Sequence, residues 1–174
     1  MELFDLYDAD RMPLHKTAVR GGGIPENSYH IVIHVCIFNS RGEMLIQRRQ
    51  ADKANWPDLW DLSVGGTVSA GERSSEGAER ELREELGIEL PLRNVRPHLT
   101  IHYDTGFDDV YVLNCDCELS SLKLQQEEVQ EVKWASCAEV EALLDAAQFV
   151  PYRKEYIRLL YALRSGRGTC RKEH

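Results

Sequence analysis

Residues 66–88 read GTVSAGERSSEGAERELREELGI, and this stretch is the most informative part of the chain. Across 78–86 an apolar residue recurs at every fourth position, which predicts a helix with one buried stripe. Ser74 or Ser75 can cap the start of this helix, and Gly87 stands where a left-handed residue is favoured after its end. The stretch therefore predicts a loop followed by a helix that ends just before this glycine.

Three glutamates of the predicted helix lean toward one of its faces. Glu81 and Glu85 are four residues apart, and Glu84 is three residues from Glu81. Like charges at this spacing repel each other and weaken a helix unless something positive lies among them, and a hard divalent cation prefers such oxygen ligands. Leu82 lies on a different face of the helix from these glutamates and can pack against a sheet. A solvated acidic surface is the alternative reading of these glutamates taken alone.

A longer pattern surrounds these glutamates. Glu72, in the loop before the helix, can pair with Arg80 and pin the loop to the helix, because arginine binds a carboxylate through two parallel N–H bonds. The complete pattern resembles the Nudix box, G-x5-E-x7-R-E-U-x-E-E-x-G-U, in which U is a bulky aliphatic residue. All nine defined positions are matched between Gly66 and Ile88, and the probability of a chance match is on the order of one in 10⁸.

The resemblance implies an α/β fold of the Nudix type. This is an α/β/α sandwich, a mixed β-sheet with the box helix on one side and C-terminal helices packed around it. Members of the family hydrolyse nucleoside diphosphates linked to another group, or similar diphosphates, with Mg²⁺ or Mn²⁺. We therefore expect a Nudix hydrolase with Mg²⁺ or Mn²⁺ as cofactor and a small-molecule diphosphate as substrate. Dimers are frequent in the family, so a homodimer is one open possibility for the oligomeric state.

Matched position by position, the resemblance assigns a role to each residue of the box. The expected metal ligands are the Gly65 carbonyl and the carboxylates of Glu81, Glu84 and Glu85. The expected structural residues are Gly66, Glu72, Arg80 and Gly87. The general base of the family is either a box glutamate or one in a later loop, so Glu84 and Glu128 are both catalytic candidates.

Outside the box, the chain resembles the isopentenyl-diphosphate-isomerase-like branch of the superfamily over about residues 1–160. The likeness is carried by IFNSRGE at 37–43, QRR at 47–49, WPDLW at 56–60 and EEV at 127–129. In that branch the positions of Arg49 and Lys53 contact the substrate diphosphate, which implies the same role here. A solvated strand end is the alternative account of these cations.

The chain departs from the isomerases at the residues that carry their chemistry. They use a cysteine shortly before the box region and a histidine just after it, whereas Gly65 and Thr67 stand there in this chain. Moving a double bond needs a positioned acid and a positioned base, and half of that pair is missing. We therefore expect hydrolysis, not isomerisation. A catalytically silent nucleotide-binding sensor is the alternative from another class, and the complete box disfavours it.

Several residues outside the box have two interpretations. His30 matches a metal ligand of the isomerases, but without the companion histidine we expect a core histidine with satisfied hydrogen bonds, on the same strand face as His34. Trp56 and Trp60 either stack on a base or pack in a loop. The pair at 108–109 is a further acidic contribution or, more simply, a turn.

Composition limits the partners and the location. The 174 residues are 43% apolar, which is enough for one core. The balance of 21 Lys and Arg against 29 Asp and Glu gives a net charge of −8, which disfavours nucleic-acid polymers and membrane surfaces. The acidic start does not fit a secretory signal, and no apolar run approaches the ~20 residues of a membrane span. We expect a cytoplasmic protein.

The remaining patterns predict one domain over residues 1–174, with its core at about 28–164 and a loose tail at 165–174. Residues 1–20 are polar with a few apolar positions, and a flexible glycine-rich joint follows at 21–23. Predicted strands lie at 29–38 and 43–48, joined as a hairpin, and at 97–103, 109–118 and 129–134. Two late helices are predicted, one from a capping box at Ser136 and one from Pro151.

Overall fold

The computed structural model of the chain describes residues 2–168 and has nine strands and three α-helices in that range. The strands are β1 (Leu3–Tyr7), β2 (Pro13–Val19), β3 (His30–Phe38), β4 (Met44–Arg49), β5 (Trp60–Asp61), β6 (Val64–Thr67), β7 (Leu99–Tyr103), β8 (Gly106–Asn114) and β9 (Val129–Ala135). The helices are α1 (Ser74–Leu86), α2 (Cys137–Asp145) and α3 (Lys154–Leu163). Residues 169–174 of the predicted tail lie outside the described residues.

Seven strands form one mixed sheet with helices on both faces. The main order is β5-β4-β3-β8-β7, with β6 paired to β3 and β9 paired to β4. Only β3 and β8 run parallel among these pairs. α1 packs on one face, where Leu82 joins a cluster with Val35, and the late helices pack on the other, where Leu160 joins Phe38. This α/β/α arrangement confirms the predicted fold class.

The sheet divides into two arms that meet at one residue pair. β3 and β4 pair only through Phe38 and Met44, so the predicted hairpin is wrong beyond its turn. Beyond that pair the two strands separate. The edge of β3 that faced β4 pairs with β6, and the edge of β4 that faced β3 pairs with β5. The first arm is then β6, β3, β8 and β7, and the second is β5, β4 and β9. Buried Ser63 joins them, because its hydroxyl accepts the Ile37 N–H and donates to the Leu45 carbonyl.

α1 spans the residues that the sequence predicts, and Gly87 follows it with a left-handed φ of 68°. The predicted serine caps are wrong. The N-cap is Arg73, whose backbone N–H donates at 2.8 Å to the carboxylate of Glu76. Ser74 is already inside the helix, and its hydroxyl lies 2.8 Å from that of Tyr111. Ser74, which the local pattern predicts as a cap, therefore bonds to a residue of another element instead.

β1 and β2 form a separate antiparallel hairpin that the sequence patterns do not reveal. Its Phe4 is buried. The backbone N–H of Ala70 donates to the Leu3 carbonyl at 2.8 Å, and that of Gly71 donates to the Asp5 carboxylate at 2.7 Å. The hairpin therefore lies against the loop that leads into α1.

The acidic pair predicted as a turn at 108–109 lies inside β8 instead. Asp109 is fully buried, and Arg11 from the hairpin donates to both of its carboxylate oxygens. Thr100 donates to the same carboxylate at 2.7 Å. The turn prediction is wrong because the charge of Asp109 is compensated by a residue far away in sequence.

The late helices are close to their predicted positions. The capping box at Ser136 is confirmed, because its hydroxyl accepts the Glu139 N–H and its own N–H donates to the Glu139 carboxylate. α3 begins at Lys154 with Arg153 as its N-cap, three residues after Pro151. Among the described helices, none is long and apolar enough to cross a membrane.

Candidate active site

Two of the three helical glutamates are buried where α1 meets the sheet. Glu81 and Glu85 are 8% and 4% exposed, whereas Glu84 is exposed. Gly66 makes room for them, because a Cβ at this position would lie 2.1 Å from Oε1 of Glu81. Gly65 precedes it on β6 and pairs in register with His34 of β3. The close approach of α1 to β6 therefore requires glycine.

Arg80 lies among three carboxylates. Its Nε and Nη2 donate to Glu72 at 2.9 and 3.1 Å, which joins the loop to the helix. Its Nη1 donates to Glu81 at 2.8 Å and to Glu84 at 3.1 Å, and Nη2 also donates to the Thr67 carbonyl. Burial alone would lower the pKa of Arg80, but its bonds to Glu72 and the charge of Glu81 raise it above the ordinary value. The structure thus brings together four residues of the box.

Glu85 lies next to Gln47 of β4, a residue of the QRR segment to which the sequence patterns assign no role. The side-chain amide of Gln47 donates to Glu85 at 2.9 Å, while its oxygen is buried without a hydrogen-bond partner in the described part of the chain. Burial, followed by the charge of Glu81, raises the pKa of Glu85 to about 8. Burial also raises the pKa of Glu81. Charge on these carboxylates is therefore costly unless a cation joins them.

The donor set fits a hard divalent cation by its chemistry. Mg²⁺ and Mn²⁺ prefer carboxylate and carbonyl oxygens, and this region supplies buried carboxylates and an unpaired amide oxygen. Within residues 2–168, no three His, Cys, Asp or Glu side chains converge closely enough to hold a metal. In this arrangement Arg80 donates to Glu81 and Glu84, while Gln47 donates to Glu85. Each carboxylate has further lone pairs beyond these bonds, so the same residues could also bind a cation.

Arg49, at the end of β4, is fixed by bonds within the chain. Its Nη1 donates to Asp61 at 3.1 Å, and its Nε and Nη2 donate to the Asn55 carbonyl at 3.2 and 3.1 Å. A guanidinium has five N–H groups, so two remain, and neither has a partner among the residues described. These two groups are free to bind a phosphate.

Lys53 pairs with Glu128, the candidate base from the later loop. The backbone N–H of Gln50 donates to the Glu128 carbonyl at 3.0 Å, which joins the two loops. After burial and the charge of Glu81, the charges of Glu128 and Asp61 also help to raise the pKa of Glu85. A substrate phosphate would compete with the Glu128 carboxylate for Lys53.

A partly buried polar group lies beside the box, where Gly65 pairs with His34. Nδ1 of His34 lies 2.9 Å from both carboxylate oxygens of Asp108, and Nε2 lies 3.3 Å from the Tyr152 hydroxyl. That hydroxyl donates to Asp61 at 3.0 Å. Burial would lower the pKa of His34, but the charge of Asp108 and its hydrogen bond raise it to about 9. No local pattern predicts this group, because its members come from four separate segments.

The remaining aromatic candidates have different environments. Nε2 of His30 lies 2.7 Å from the Tyr103 hydroxyl, but its buried Nδ1 has no partner in residues 2–168, so the expectation of a fully satisfied histidine is wrong. Trp60 is buried on β5, with the Lys133 ammonium 4.4 Å from its ring centroid. Trp56 is 50% exposed and has a left-handed φ of 51°. Of the two tryptophans, Trp56 is therefore the exposed one and Trp60 the one that packs in the core.

Comparison with known proteins identifies the family. The NUDIX domain model matches residues 28–160. An uncharacterized Nudix hydrolase of Listeria innocua is 45% identical over 152 residues, which cover 87% of this chain and 90% of that protein. An isopentenyl-diphosphate Delta-isomerase of Shigella boydii is 31% identical over 124 residues, 67% of each chain. Both predicted resemblances are thereby confirmed.

A solved structure supports the same assignment. The crystal structure of a Deinococcus radiodurans protein superposes with a TM-score of 0.75 at 25% identity, covering 92% of this chain and 99% of that one. The family match runs from β3 into α3, and the box with its buried glutamates lies within it. The chain belongs to the Nudix family and is a Nudix hydrolase.

Proposed function

We propose that this enzyme cleaves a diphosphate linkage in a nucleotide-type or related organic diphosphate, with Mg²⁺ or Mn²⁺ as its cofactor. The observation that carries the proposal is the pair of buried carboxyls, Glu81 and Glu85, on the sheet side of α1. Two adjacent acids with raised pKa values destabilise a metal-free helix. A bound cation would compensate for the cost of burying these two carboxylates, which explains why both lie there.

The cation would be held by Glu81, Glu84 and Glu85 together with the Gly65 carbonyl. It would neutralise charge on the phosphate oxygens and make water more acidic. Gly66 leaves the space in which Glu81 approaches β6. The bond from Arg80 to Glu72 holds the preceding loop against the helix, so the ligands keep their relative positions.

The substrate would be held from the second arm of the sheet. Arg49 offers two free N–H groups in a fixed orientation, and Lys53 offers a point charge that can adapt to different phosphate positions. Glu128 or Glu84 would take the proton from the attacking water. When a phosphate takes over Lys53, the Glu128 carboxylate loses its ion pair and is available as a base.

A hydrolysis screen with added Mg²⁺ or Mn²⁺ tests the proposal. It covers nucleoside di- and triphosphates, nucleotide sugars, dinucleoside polyphosphates and isoprenoid diphosphates, with the products identified by mass. We expect cation-dependent cleavage between two phosphorus atoms in at least one class. Binding without cleavage across the panel would instead indicate a nucleotide-binding sensor. Conversion of isopentenyl diphosphate to its isomer would contradict the expectation of hydrolysis.

A further inference from the structure

A chain of polar contacts runs between the two arms of the sheet, beside the box. It connects Arg49 to Asp61, Asp61 to the Tyr152 hydroxyl, that hydroxyl to His34, and His34 to Asp108. Arg49 and Asp61 belong to the second arm, whereas His34 and Asp108 belong to the first. Tyr152 comes from the segment between α2 and α3 and bridges the two.

Asp61 orients Arg49 together with the Asn55 carbonyl. It is 6% exposed, so its carboxylate needs hydrogen bonds from the protein. One oxygen accepts from Arg49, and the other accepts from the Leu62 N–H at 2.8 Å and from the Tyr152 hydroxyl at 3.0 Å. Tyr152 is therefore the only side chain among the described residues, apart from Arg49, that donates to this carboxylate.

Tyr152 is itself held from two sides. Its ring meets that of His34 edge-on, with centroids 6.2 Å apart, and lies 5.6 Å from the ring of Tyr156. A carboxylate only accepts hydrogen bonds, so the single hydroxyl proton of Tyr152 points to Asp61. The Asp108 carboxylate in turn fixes the imidazole of His34 from the far side. The hydroxyl therefore has one defined direction.

We propose that Tyr152 is a positioning residue for the substrate diphosphate. Its hydroxyl orients Asp61, and Asp61 orients Arg49 so that the two free N–H groups of the guanidinium point to the phosphate. This inference rests on the proposed function, because it takes Arg49 as the diphosphate contact. Tyr152 does not touch the substrate itself.

The test compares Tyr152→Phe with Tyr156→Phe. The Tyr156 hydroxyl is buried without a hydrogen-bond partner in residues 2–168, so its removal is a matched control in the same cluster. The probe is inorganic pyrophosphate, with its affinity measured by calorimetry. Tyr152→Phe is expected to weaken binding about three- to ten-fold, and Tyr156→Phe to leave it unchanged. For any substrate found, KM should rise by the same factor while kcat stays within about two-fold.

A double-mutant cycle with Arg49→Ala shows whether Tyr152 acts through Arg49. In the Arg49→Ala background, Tyr152→Phe should have no further effect on pyrophosphate affinity. Asp61→Asn, which keeps the shape of the side chain, should be coupled to Arg49→Ala in the same way. Independent effects of Tyr152→Phe and Arg49→Ala, or an unchanged affinity for Tyr152→Phe, would overturn the inference.

The outcomes separate this inference from the proposed function. If the wild type hydrolyses a diphosphate but the cycle shows no coupling, the positioning role fails and the function stands. If the wild type binds pyrophosphate with the expected coupling but hydrolyses nothing, the function fails and the positioning role stands. A wild type that neither binds pyrophosphate nor hydrolyses any substrate of the screen overturns both, and in a wild type that hydrolyses a substrate without binding pyrophosphate the same cycle is measured through KM.

Discussion

The raised pKa of Glu85 couples cation binding to pH. Burial and nearby carboxylates raise this pKa from 4.5 to about 8, so the metal-free folded chain holds a proton on Glu85 at neutral pH. A cation binds the carboxylate and displaces that proton. We expect the affinity for Mg²⁺ to rise with pH up to about 8 and binding to release protons. Calorimetry in buffers of different ionisation enthalpy measures both.

The same shift determines how metal-free stability depends on pH. The carboxyl of Glu85 binds its proton more tightly in the folded chain than in the unfolded chain. This proton therefore stabilises the fold fully below about pH 4.5, and the stabilisation is lost as the pH rises through about 8. The free energy of unfolding should fall over this range in the wild type and fall less in Glu85→Gln. A Mg²⁺ affinity that is flat over the same range would contradict this account of Glu85.

The two candidate bases differ in their surroundings. Glu84 is on α1 and bound to Arg80, whereas Glu128 is in a separate loop and bound to Lys53. We expect Glu128→Gln to lower kcat about 10²- to 10⁴-fold and to leave the Mg²⁺ affinity unchanged, because Glu128 lies outside the ligand set. Steady-state kinetics together with Mg²⁺ calorimetry measure this. A silent Glu128→Gln with the whole loss in Glu84→Gln would assign the base to α1 instead.

At the scale of elements, the contact between α1 and β6 depends on Gly66. A Cβ there would lie 2.1 Å from the Glu81 carboxylate and force that side chain away. Gly66→Ala is expected to weaken Mg²⁺ binding about ten-fold or more. Gly23→Ala is the control, because a Cβ at Gly23 meets nothing within 4 Å. Equal Mg²⁺ affinities for the two variants would show that the close approach is not needed.

The N-terminal hairpin is held by a buried charge. Arg11→Ala leaves the carboxylate of Asp109, which is fully buried, without its counter-ion and should lower the free energy of unfolding by about 3 kcal/mol. Arg20→Ala is the matched control on the same hairpin, because its pair with Glu2 is largely exposed and worth less than about 1 kcal/mol. Urea unfolding compares the two variants, and similar losses would contradict the role given to Arg11.

These elements also show what the sequence can predict. α1 follows from residues within one or two turns of each other, and the capping box of α2 from residues three apart. The contact between Arg11 and Asp109 joins residues 98 positions apart, and that between Tyr152 and His34 joins residues 118 apart. Nothing local marks such pairs, so neither the N-terminal hairpin nor the bridge at Tyr152 could be predicted.

At the scale of the whole molecule, the candidate site is shared between the two arms of the sheet. The predicted metal ligands lie on α1 and on β6 of the first arm. Of the predicted diphosphate contacts, Arg49 ends β4 of the second arm and Lys53 lies in the loop that follows. Gln47 and Tyr152 connect the two sides through Glu85 and Asp61. The box pattern predicts the residues of the metal side. The position of the diphosphate side depends on the separation of β3 and β4, which no local pattern shows.

The central claim is that a cation held by the buried glutamates of α1 drives diphosphate cleavage. The most direct measurement is the rate of cleavage as a function of Mg²⁺ for the wild type, Glu81→Gln and Glu85→Gln, on the best substrate of the screen. Both variants should fold, because glutamine keeps the shape of the side chain and its oxygen can still accept the bonds from Arg80 and Gln47. Both should lose most of their Mg²⁺ binding and activity. Wild-type turnover by either variant at limiting Mg²⁺ would contradict the account.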